Sequence, residues 1–292
     1  MDTVKCEALL CSIDNGSFSA AAEKLGYTPS GITRMIDALE TEIGFPLVIR
    51  QRTGVAPTKE GATLLPMIRA FVQDGKRIGE QAAQIKGVVE GSIAIGTYYS
   101  VASQWLPTVI RQFQSDHPGV SISMHEGGNA ELARLMAESR LDCCFTSRRL
   151  ATGDWVPLAT DQLVAWVPTA WPEAQREAFP IKALEGKHFI MPLPGNKNDV
   201  ETLLAEQDVG VDVRFAANDG YTAWRMVEQG LGMSLNNYLM GCTWQGEVAV
   251  LPLDPPQEIE LGIAVPNLQT ASPATRAFIG YAKRIVPDLG LR

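Results

Sequence analysis

The sequence lacks long apolar runs and has few of the residues that build a metal or redox centre. No uninterrupted apolar segment approaches the roughly 20 residues of a membrane helix. The first residues include Asp2 and Glu7 and lack the apolar core of a signal peptide. The three histidines are scattered, and the five cysteines are odd in number without metal-ligand spacing. These absences predict a cytoplasmic protein without a metal ion, a cofactor or a membrane partner.

An excess of positive charge is also missing. The 292 residues carry 25 basic and 33 acidic side chains, a net charge of −8. Residues 1–59 carry six basic and seven acidic side chains, and a net charge of −7 falls in residues 91–292. Any contact with nucleic acid phosphates therefore needs a local basic patch. The candidates lie in the first segment and are Arg34, Arg50, Arg52 and Lys59.

Residues 18–40 have the pattern of two short helices joined by a tight turn. Ser19 is predicted to cap a first helix ending at Leu25, and Gly26 allows a left-handed turn. The second helix then begins with a cap and a proline, and its first turns face outward, which suits entry into the major groove. These predicted DNA-binding residues are Thr28, Pro29, Ser30, Thr33 and Arg34. Two amphipathic helices of an ordinary bundle are the alternative.

A short strand over 47–50 and a return strand before residue 58 predict a β-wing after the second helix. Arg50, Arg52 and Thr53 lie near its tip, where arginines can reach phosphate or the minor groove. A solvated loop is the alternative for these residues.

Residues 59–89 predict one long helix that is capped by Thr58. Apolar residues repeat along it in two series at heptad spacing, which is typical of a coiled-coil seam and favours pairing of two chains. The predicted dimerisation residues are Leu64, Ile68, Phe71, Ile78, Ala82 and Ile85. A helix packed on its own domain is the alternative.

Strands and helices alternate from residue 91 onwards, which predicts an α/β fold with mostly parallel strands. Among the predicted elements are a helix over 100–116 and strands over 141–146 and 163–167. Ligands bind beyond the carboxyl ends of such strands, and helix N-termini there favour a small anion, such as a carboxylate. The predicted effector-binding residues are Thr97, Tyr98, Tyr99, Ser100, Val101, Thr146, Ser147, Asn196, Lys197, Asn218 and Asn236. Ordinary caps and turn residues are the alternative.

Several spaced motifs resemble the LysR-type transcriptional regulators. Those that resemble the family's DNA-binding domain are Ser19-Ala20-Ala21-Ala22, Thr28-Pro29-Ser30, Leu39-Glu40, Gly44, Leu47, Arg50, Thr58 and Gly61. Those that resemble its effector domain include Leu106-Pro107, Phe113, Pro118, Leu141-Asp142 and Gly230-Leu231-Gly232-Met233. The sequence departs from the family at Val48, where Phe is usual, and at Leu235-Asn236-Asn237, where the usual Pro is absent.

The resemblance implies an α/β protein with an N-terminal winged helix-turn-helix, a long linker helix and a two-lobed, Rossmann-like effector domain of the periplasmic-binding-protein type. The implied domains are 1–58, 59–89 and 90–292, with lobe one at 91–161 and 266–292 and lobe two at 162–265. The implied partners are double-stranded DNA with a two-fold symmetric operator, a small effector, further copies of the chain in a dimer or tetramer, and RNA polymerase.

An enzyme or a small-molecule-binding protein on a periplasmic-binding-like scaffold is the rival interpretation, and a nucleoid-type protein is a third. Against an enzyme, the sequence has no nucleophile–base motif, metal set or glycine-rich phosphate loop. Cys143 and Cys144 would face opposite sides of a strand, which disfavours a bridge between them. Cys242 is the one cysteine of lobe two, so the spaced pair of the family's peroxide-sensing branch has no counterpart. The sequence does not name the effector, the operator or the sign of regulation.

Overall fold

The computed structural model describes residues 1–51, 54–193 and 198–289. The chain divides into two compact units, one made of residues 1–91 with 135–140 and the other of residues 92–134 and 141–292. In the described residues, no helix combines the length and the apolar content that crossing a membrane requires.

The first unit packs helices around a two-stranded ribbon. Its elements are α1 (Thr3–Asp14), α2 (Phe18–Leu25), α3 (Pro29–Ile43), β1 (Val48–Gln51), β2 (Gly54–Pro57) and α4 (Lys59–Ile85). The cap predicted at Ser19 is wrong, because α2 begins at Phe18 and the hydroxyl of Ser17 accepts from the N–H of Ala20 at 3.4 Å. Thr28 caps α3 as expected, and Gly26 ends α2 in the left-handed conformation.

A single apolar core holds these elements together. Leu9 of α1, Ile32 and Ile36 of α3, and Leu47 before the ribbon are buried in it. Because the buried residues of α3 recur at intervals of three or four, its opposite face is left to solvent. That exposed face carries the predicted DNA-binding residues.

The start of α4 is locked to the segment before the ribbon. The N–H of Thr58 donates to the carbonyl of Leu47 at 2.9 Å, and the Thr58 hydroxyl accepts from the N–H of Gly61 at 2.8 Å. Gly61 lies so close that a Cβ there would stand 2.2 Å from the Leu47 carbonyl oxygen. A glycine is therefore required at this contact.

The second unit alternates strands and helices. Its elements are β3 (Gly91–Thr97), α5 (Tyr99–Gln104), α6 (Leu106–Asp116), β4 (Val120–Glu126), α7 (Asn129–Ala137), β5 (Cys143–Ser147), β6 (Asp154–Pro168), β7 (Phe179–Pro180), β8 (His188–Pro192), α8 (Asp199–Glu206), β9 (Asp212–Ala217), α9 (Gly220–Glu228), β10 (Ser234–Asn237), α10 (Tyr238–Gly241), β11 (Val248–Asp254), β12 (Glu258–Val265) and α11 (Pro273–Leu289). The main sheet has the order β4-β3-β5-β12-β6-β11-β7, with β10 also paired to β6, and β8 pairs with β9.

The sheet is mixed, so the expectation of mostly parallel strands is wrong. β3 and β5 run parallel, but β12 pairs antiparallel with both β5 and β6, and β11 and β10 pair antiparallel with β6. The strand predicted over 163–167 is the second half of β6. Its first half, residues 154–162, was missed because Pro157, Thr160 and Gln162 interrupt the apolar pattern.

Two further boundaries differ from the sequence prediction. The helix expected over 100–116 divides into α5 and α6 before Pro107, whose ring and missing N–H disfavour a continuous helix there. β12, which was assigned to lobe two, pairs along its length with residues 154–162 of β6. We therefore place the second crossing between the lobes before residue 258 rather than at 265.

The contact between Gly61 and Leu47 makes a stability prediction. The substitution Gly61→Ala forces its methyl group against the Leu47 carbonyl and lowers the free energy of unfolding by about 1–3 kcal/mol. Gly79→Ala is the matched control on α4, because a Cβ there meets nothing within 4 Å, and it raises the free energy of unfolding by about 0.5–1 kcal/mol. Urea denaturation measures both, and equal stability of the two variants would contradict the prediction.

Candidate nucleic-acid interface and ligand cleft

The N-terminal turns of α3 present short polar side chains to solvent. The Thr28 hydroxyl accepts from the N–H of Gly31 at 3.1 Å and lies 3.1 Å from the Ser30 hydroxyl. The Thr33 hydroxyl donates to the carbonyl of Pro29 at 3.0 Å. These groups therefore hold the start of the helix, and their remaining lone pairs and protons are open to a ligand.

Arg34 lies one turn further along the same face and is exposed. Its guanidinium has no ion-pair or hydrogen-bond partner among the described residues. An arginine that is not engaged within its own protein can donate bidentately to a base edge or pair with a phosphate. Arg34 is the one basic residue of α3, and its contact with DNA stays a prediction.

The ribbon β1–β2 forms the predicted wing, with Val48 opposite Pro57 and Gln51 opposite Gly54. Arg50 donates from this ribbon to the carboxylate of Asp37 on α3, and its guanidinium lies over the ring of Phe18 at 5.3 Å. Arg50 is thus engaged within the protein, whereas the sequence analysis expected its charge to be free to contact DNA. Its contact with DNA stays a prediction, and Arg52 and Thr53 lie outside the described residues.

Glu40 is a positioning residue to which the sequence analysis gave no role. Its carboxylate accepts from the N–H of Leu47 at 2.6 Å and from that of Val48 at 3.1 Å. These bonds fix where the wing begins relative to α3. Glu40 and Leu47 are seven residues apart, and Leu47 lies four residues beyond the end of α3, so a periodic pattern could not reveal the contact. The one signal is an acidic residue beside buried Leu39.

The long helix α4 divides its apolar residues between two surfaces. Ile68 is buried in the core of its own unit, and half-buried Leu64 packs against that core. The expectation that Ile68 belongs to the dimerisation seam is therefore wrong, since its side chain is already covered. Other apolar residues of α4 form an exposed stripe, which we define as Met67, Phe71, Ile78 and Ile85. Predicted Ala82 is also exposed, and Met67 was not among the predicted residues.

The second unit contains a cleft of about 380 Å³ beyond the ends of several strands. Five of the predicted effector-binding residues line it: Tyr98, Tyr99, Ser100, Asn218 and Asn236. Apolar side chains of the main sheet and of α10 complete its walls, among them Leu163, Ile259, Leu261 and Met240. The position matches the expectation that ligands bind beyond the strand ends.

Four predicted effector-binding residues lie behind this lining rather than in it. Thr97 donates to the carbonyl of Tyr98 at 3.0 Å, and Thr146 lies 2.7 Å from the Tyr98 hydroxyl. Val101 is buried, and the Ser147 hydroxyl donates to Asp199 at 3.3 Å. These side chains were predicted to contact the ligand, but their neighbours cover them. Asn196 and Lys197 lie outside the described residues.

The tyrosine and asparagine side chains of the cleft are held in place by their neighbours. The Tyr98 hydroxyl also donates to the amide oxygen of Asn129, and burial raises the pKa of Tyr98 well above its ordinary value. Buried Asp161 accepts from the amide of Asn237 at 2.7 Å and from the N–H of Leu239 at 3.2 Å. Burial raises the pKa of Asp161, and these bonds act in the opposite direction.

Carboxylates of the cleft were not anticipated. The four that line it are Glu126, Glu131, Asp199 and Asp219. Burial raises the pKa of Asp199, while the hydrogen bond from Ser147 lowers it. Glu131 pairs with His125 at 2.9 Å, and Asp219 accepts from the N–H and the hydroxyl of Thr222, both at 2.7 Å. The sequence signal for Glu131, Asp199 and Asp219 was their position at the starts of helices that follow strands, whereas Glu126 is the last residue of β4.

Two family models match the chain in the same order as the two units. The bacterial regulatory helix-turn-helix protein of the LysR family matches residues 5–62, and the LysR substrate binding domain matches residues 86–286. The HTH-type transcriptional regulator YvbU of Bacillus subtilis is 25% identical over 275 residues, which cover 93% of this chain and 94% of that protein. LrrA of Synechococcus elongatus, a probable HTH-type transcriptional regulator, is 27% identical over 297 residues, 99% of each chain.

Solved structures share the fold over nearly the whole chain. A full-length OxyR variant from Pseudomonas aeruginosa has a TM-score of 0.79 at 18% identity, covering 98% of this chain and 95% of that chain. Full-length BenM has a TM-score of 0.61 at 21% identity, covering 100% and 99%. CbnR in complex with its target DNA has a TM-score of 0.54 at 18% identity, covering 98% and 100%.

The substrate-binding model alone spans more than half of the chain, and the helix-turn-helix model matches the unit that carries exposed α3 and its wing. The protein therefore belongs to the LysR family of DNA-binding transcriptional regulators.

Proposed function

We propose that the protein binds a two-fold symmetric operator as a homodimer or a dimer of dimers, with α3 of each copy in the major groove. The observation that carries the proposal is Arg34, which is exposed on α3 and unpaired among the described residues. A net charge near zero in residues 1–59 makes one copy a weak binder of phosphates. Two copies double the contacts and require half-sites related by symmetry.

The exposed stripe of α4 supports pairing between copies. Ile78 is 73% exposed and Ile85 is 81% exposed in the single chain, whereas Ile68 and Val72 earlier in the same helix are buried. These residues repeat at seven-residue intervals from Phe71 onwards, as the a positions of a coiled coil do. Covering this stripe with a second α4 removes apolar surface from water.

A small effector in the cleft supplies the regulatory signal in this proposal. The lining comes from the main sheet and from the separate pair β8–β9, so a ligand that contacts both favours one arrangement of the two lobes. That arrangement then sets the spacing of the paired α3 helices and any contact with RNA polymerase. The protein acts in the cytoplasm, where its operator is, and by binding rather than turnover.

One experiment on the full chain, with two readouts, distinguishes an enzyme from a sensor. An enzyme consumes a compound that it binds, whereas a sensor leaves the compound intact and unfolds at a higher temperature in its presence. Chromatography of the compound after incubation, beside the melting temperature, distinguishes the two interpretations.

The DNA interface is tested with the variant Arg34→Ala. Duplex DNA from the region upstream of the gene is titrated with the full chain at several salt concentrations, and fluorescence anisotropy gives the affinity. Loss of a bidentate base contact weakens operator binding by about 1–3 kcal/mol and leaves the unfolding midpoint unchanged.

Arg176→Ala is the control, because Arg176 is exposed and belongs to the second unit rather than to the helix-turn-helix. Its operator affinity stays at the level of the parent chain. Equal affinity of the Arg34→Ala variant and the parent would move the recognition surface away from Arg34.

The pairing of α4 is tested with Ile78→Asp. A carboxylate in the middle of the stripe is buried without a partner in the dimer, so the variant shifts the sedimentation profile toward a lighter species. Ala62→Asp is the control, since residue 62 lies about 160° around α4 from residue 78. It leaves the sedimentation profile unchanged. If the Ile78→Asp variant sediments as the parent does, the stripe is not the seam.

A further inference from the structure

Three of the helices that begin at the cleft already carry a carboxylate of their own. Glu131 lies in the first turn of α7, Asp199 is the first residue of α8, and Asp219 caps α9. The positive end of a helix attracts one negative charge, and here a side chain of the protein supplies it. These three helix ends therefore do not offer the anion site that the sequence analysis expected. The start of α5 at Tyr99 also lies at the cleft and has no acidic residue in its first turn, but α5 is a short helix of six residues.

The remaining charge of the cleft is also negative. Glu126 lines it without an ion-pair partner among the described residues, and no Lys, Arg or His is among the described residues of the lining. Asp199 has one described hydrogen bond, the long one from Ser147 at 3.3 Å. Asp199 and Glu126 thus keep most of their hydrogen-bonding capacity for something that is not a side chain of the described chain.

Two buried polar groups independently point to a ligand. Ser100 is 1% exposed, and no described residue bonds its hydroxyl. Asn236 is 4% exposed; its amide nitrogen donates to Ser234 at 3.1 Å, and no described residue donates to its amide oxygen. Both residues line the cleft. Buried polar groups are rarely left unpaired, so these two are poised to bond whatever fills the space.

The unpaired groups of the cleft therefore include several acceptors: carboxylate oxygens, the amide oxygen of Asn236 and the hydroxyl of Ser100, which can act as donor or acceptor. A ligand that satisfies them brings N–H donors and positive charge. The apolar walls and the rings of Tyr98 and Tyr99 cover a carbon skeleton, and an aromatic ring also attracts a cation.

We propose that the cleft binds a small organic cation, a primary amine on a short carbon skeleton, whose ammonium group bonds Asp199, Ser100 and the amide oxygen of Asn236. The proposal rests on the proposed function, since it assigns the chemical class of that same effector. It replaces the expectation of an anionic effector.

The test uses the full chain and probes matched in skeleton but opposite in charge. These are 2-phenylethylamine with phenylacetate, and butane-1,4-diamine with butanedioate. Titration calorimetry and the shift of the melting temperature report binding. At least one amine binds and raises the melting temperature, and its matched carboxylate does neither.

Variants then locate the site. Asp199→Asn lowers the affinity for the amine about 10-fold or more, as expected for a lost charge-assisted bond. Glu177→Gln, an exposed carboxylate outside the cleft, leaves the affinity unchanged. Ser100→Ala serves if Asp199→Asn does not fold, because it removes one hydroxyl from a helical position that accepts alanine; it lowers the amine affinity several-fold.

Two results overturn the proposal. One is binding of a carboxylate probe in preference to its amine; loss of that binding in Lys197→Gln would then assign anion recognition to the segment 194–197. The other is the absence of binding by both amines. Operator binding is measured on the same preparation. Operator binding without amine binding would reject the cationic effector but keep the proposed function. Amine binding without operator binding would reject the proposed function but keep the cation site.

Discussion

The carboxylate of Glu40 secures the point where the recognition helix, the wing and the linker helix meet. It holds the N–H groups of Leu47 and Val48, while the carbonyl of Leu47 accepts from Thr58, the cap of α4. A shift of any one element therefore breaks a hydrogen bond of another. The pose of α3 toward DNA is in this way tied directly to the direction in which α4 leaves, which is the property that a paired DNA-binding protein needs.

The cleft is built on a different principle. Its position follows from strand ends, but its chemistry follows from helix starts, where Glu131, Asp199 and Asp219 satisfy the helices that begin there. Because these carboxylates stand at helix starts that line the cleft, they bring hydrogen-bond acceptors to its walls. The same fold can therefore serve ligands of opposite charge, depending on which side chain stands at the first turn of each helix.

Local features were predictable from the sequence. Neighbouring residues were enough to predict the turn at Gly26, the caps at Thr28 and Thr58, and strand β12. The family resemblance predicted the order of the units along the chain. Features that depend on residues distant in the sequence were not predictable. The burial of Ile68 needs α1 beside α4, because a heptad series does not say which helix covers it. Only five of the eleven predicted effector-binding residues line the cleft. The position of a strand end predicts the region in which a ligand binds, but it does not predict which side chains face the cleft.

The long strand β6 has a mechanical consequence. Residues 154–162 pair with β12 and residues 163–168 with β10 and β11, and at the crossing the N–H of Leu163 donates to the carbonyl of Gln257 at 2.9 Å. The two halves of the domain are thus joined by a hydrogen-bonded ribbon rather than by loose chain. A ribbon flexes across its flat face but resists sliding, because a slip of one residue reverses every side chain. The joint between the two halves therefore resists a relative slide more strongly than it resists bending or twisting.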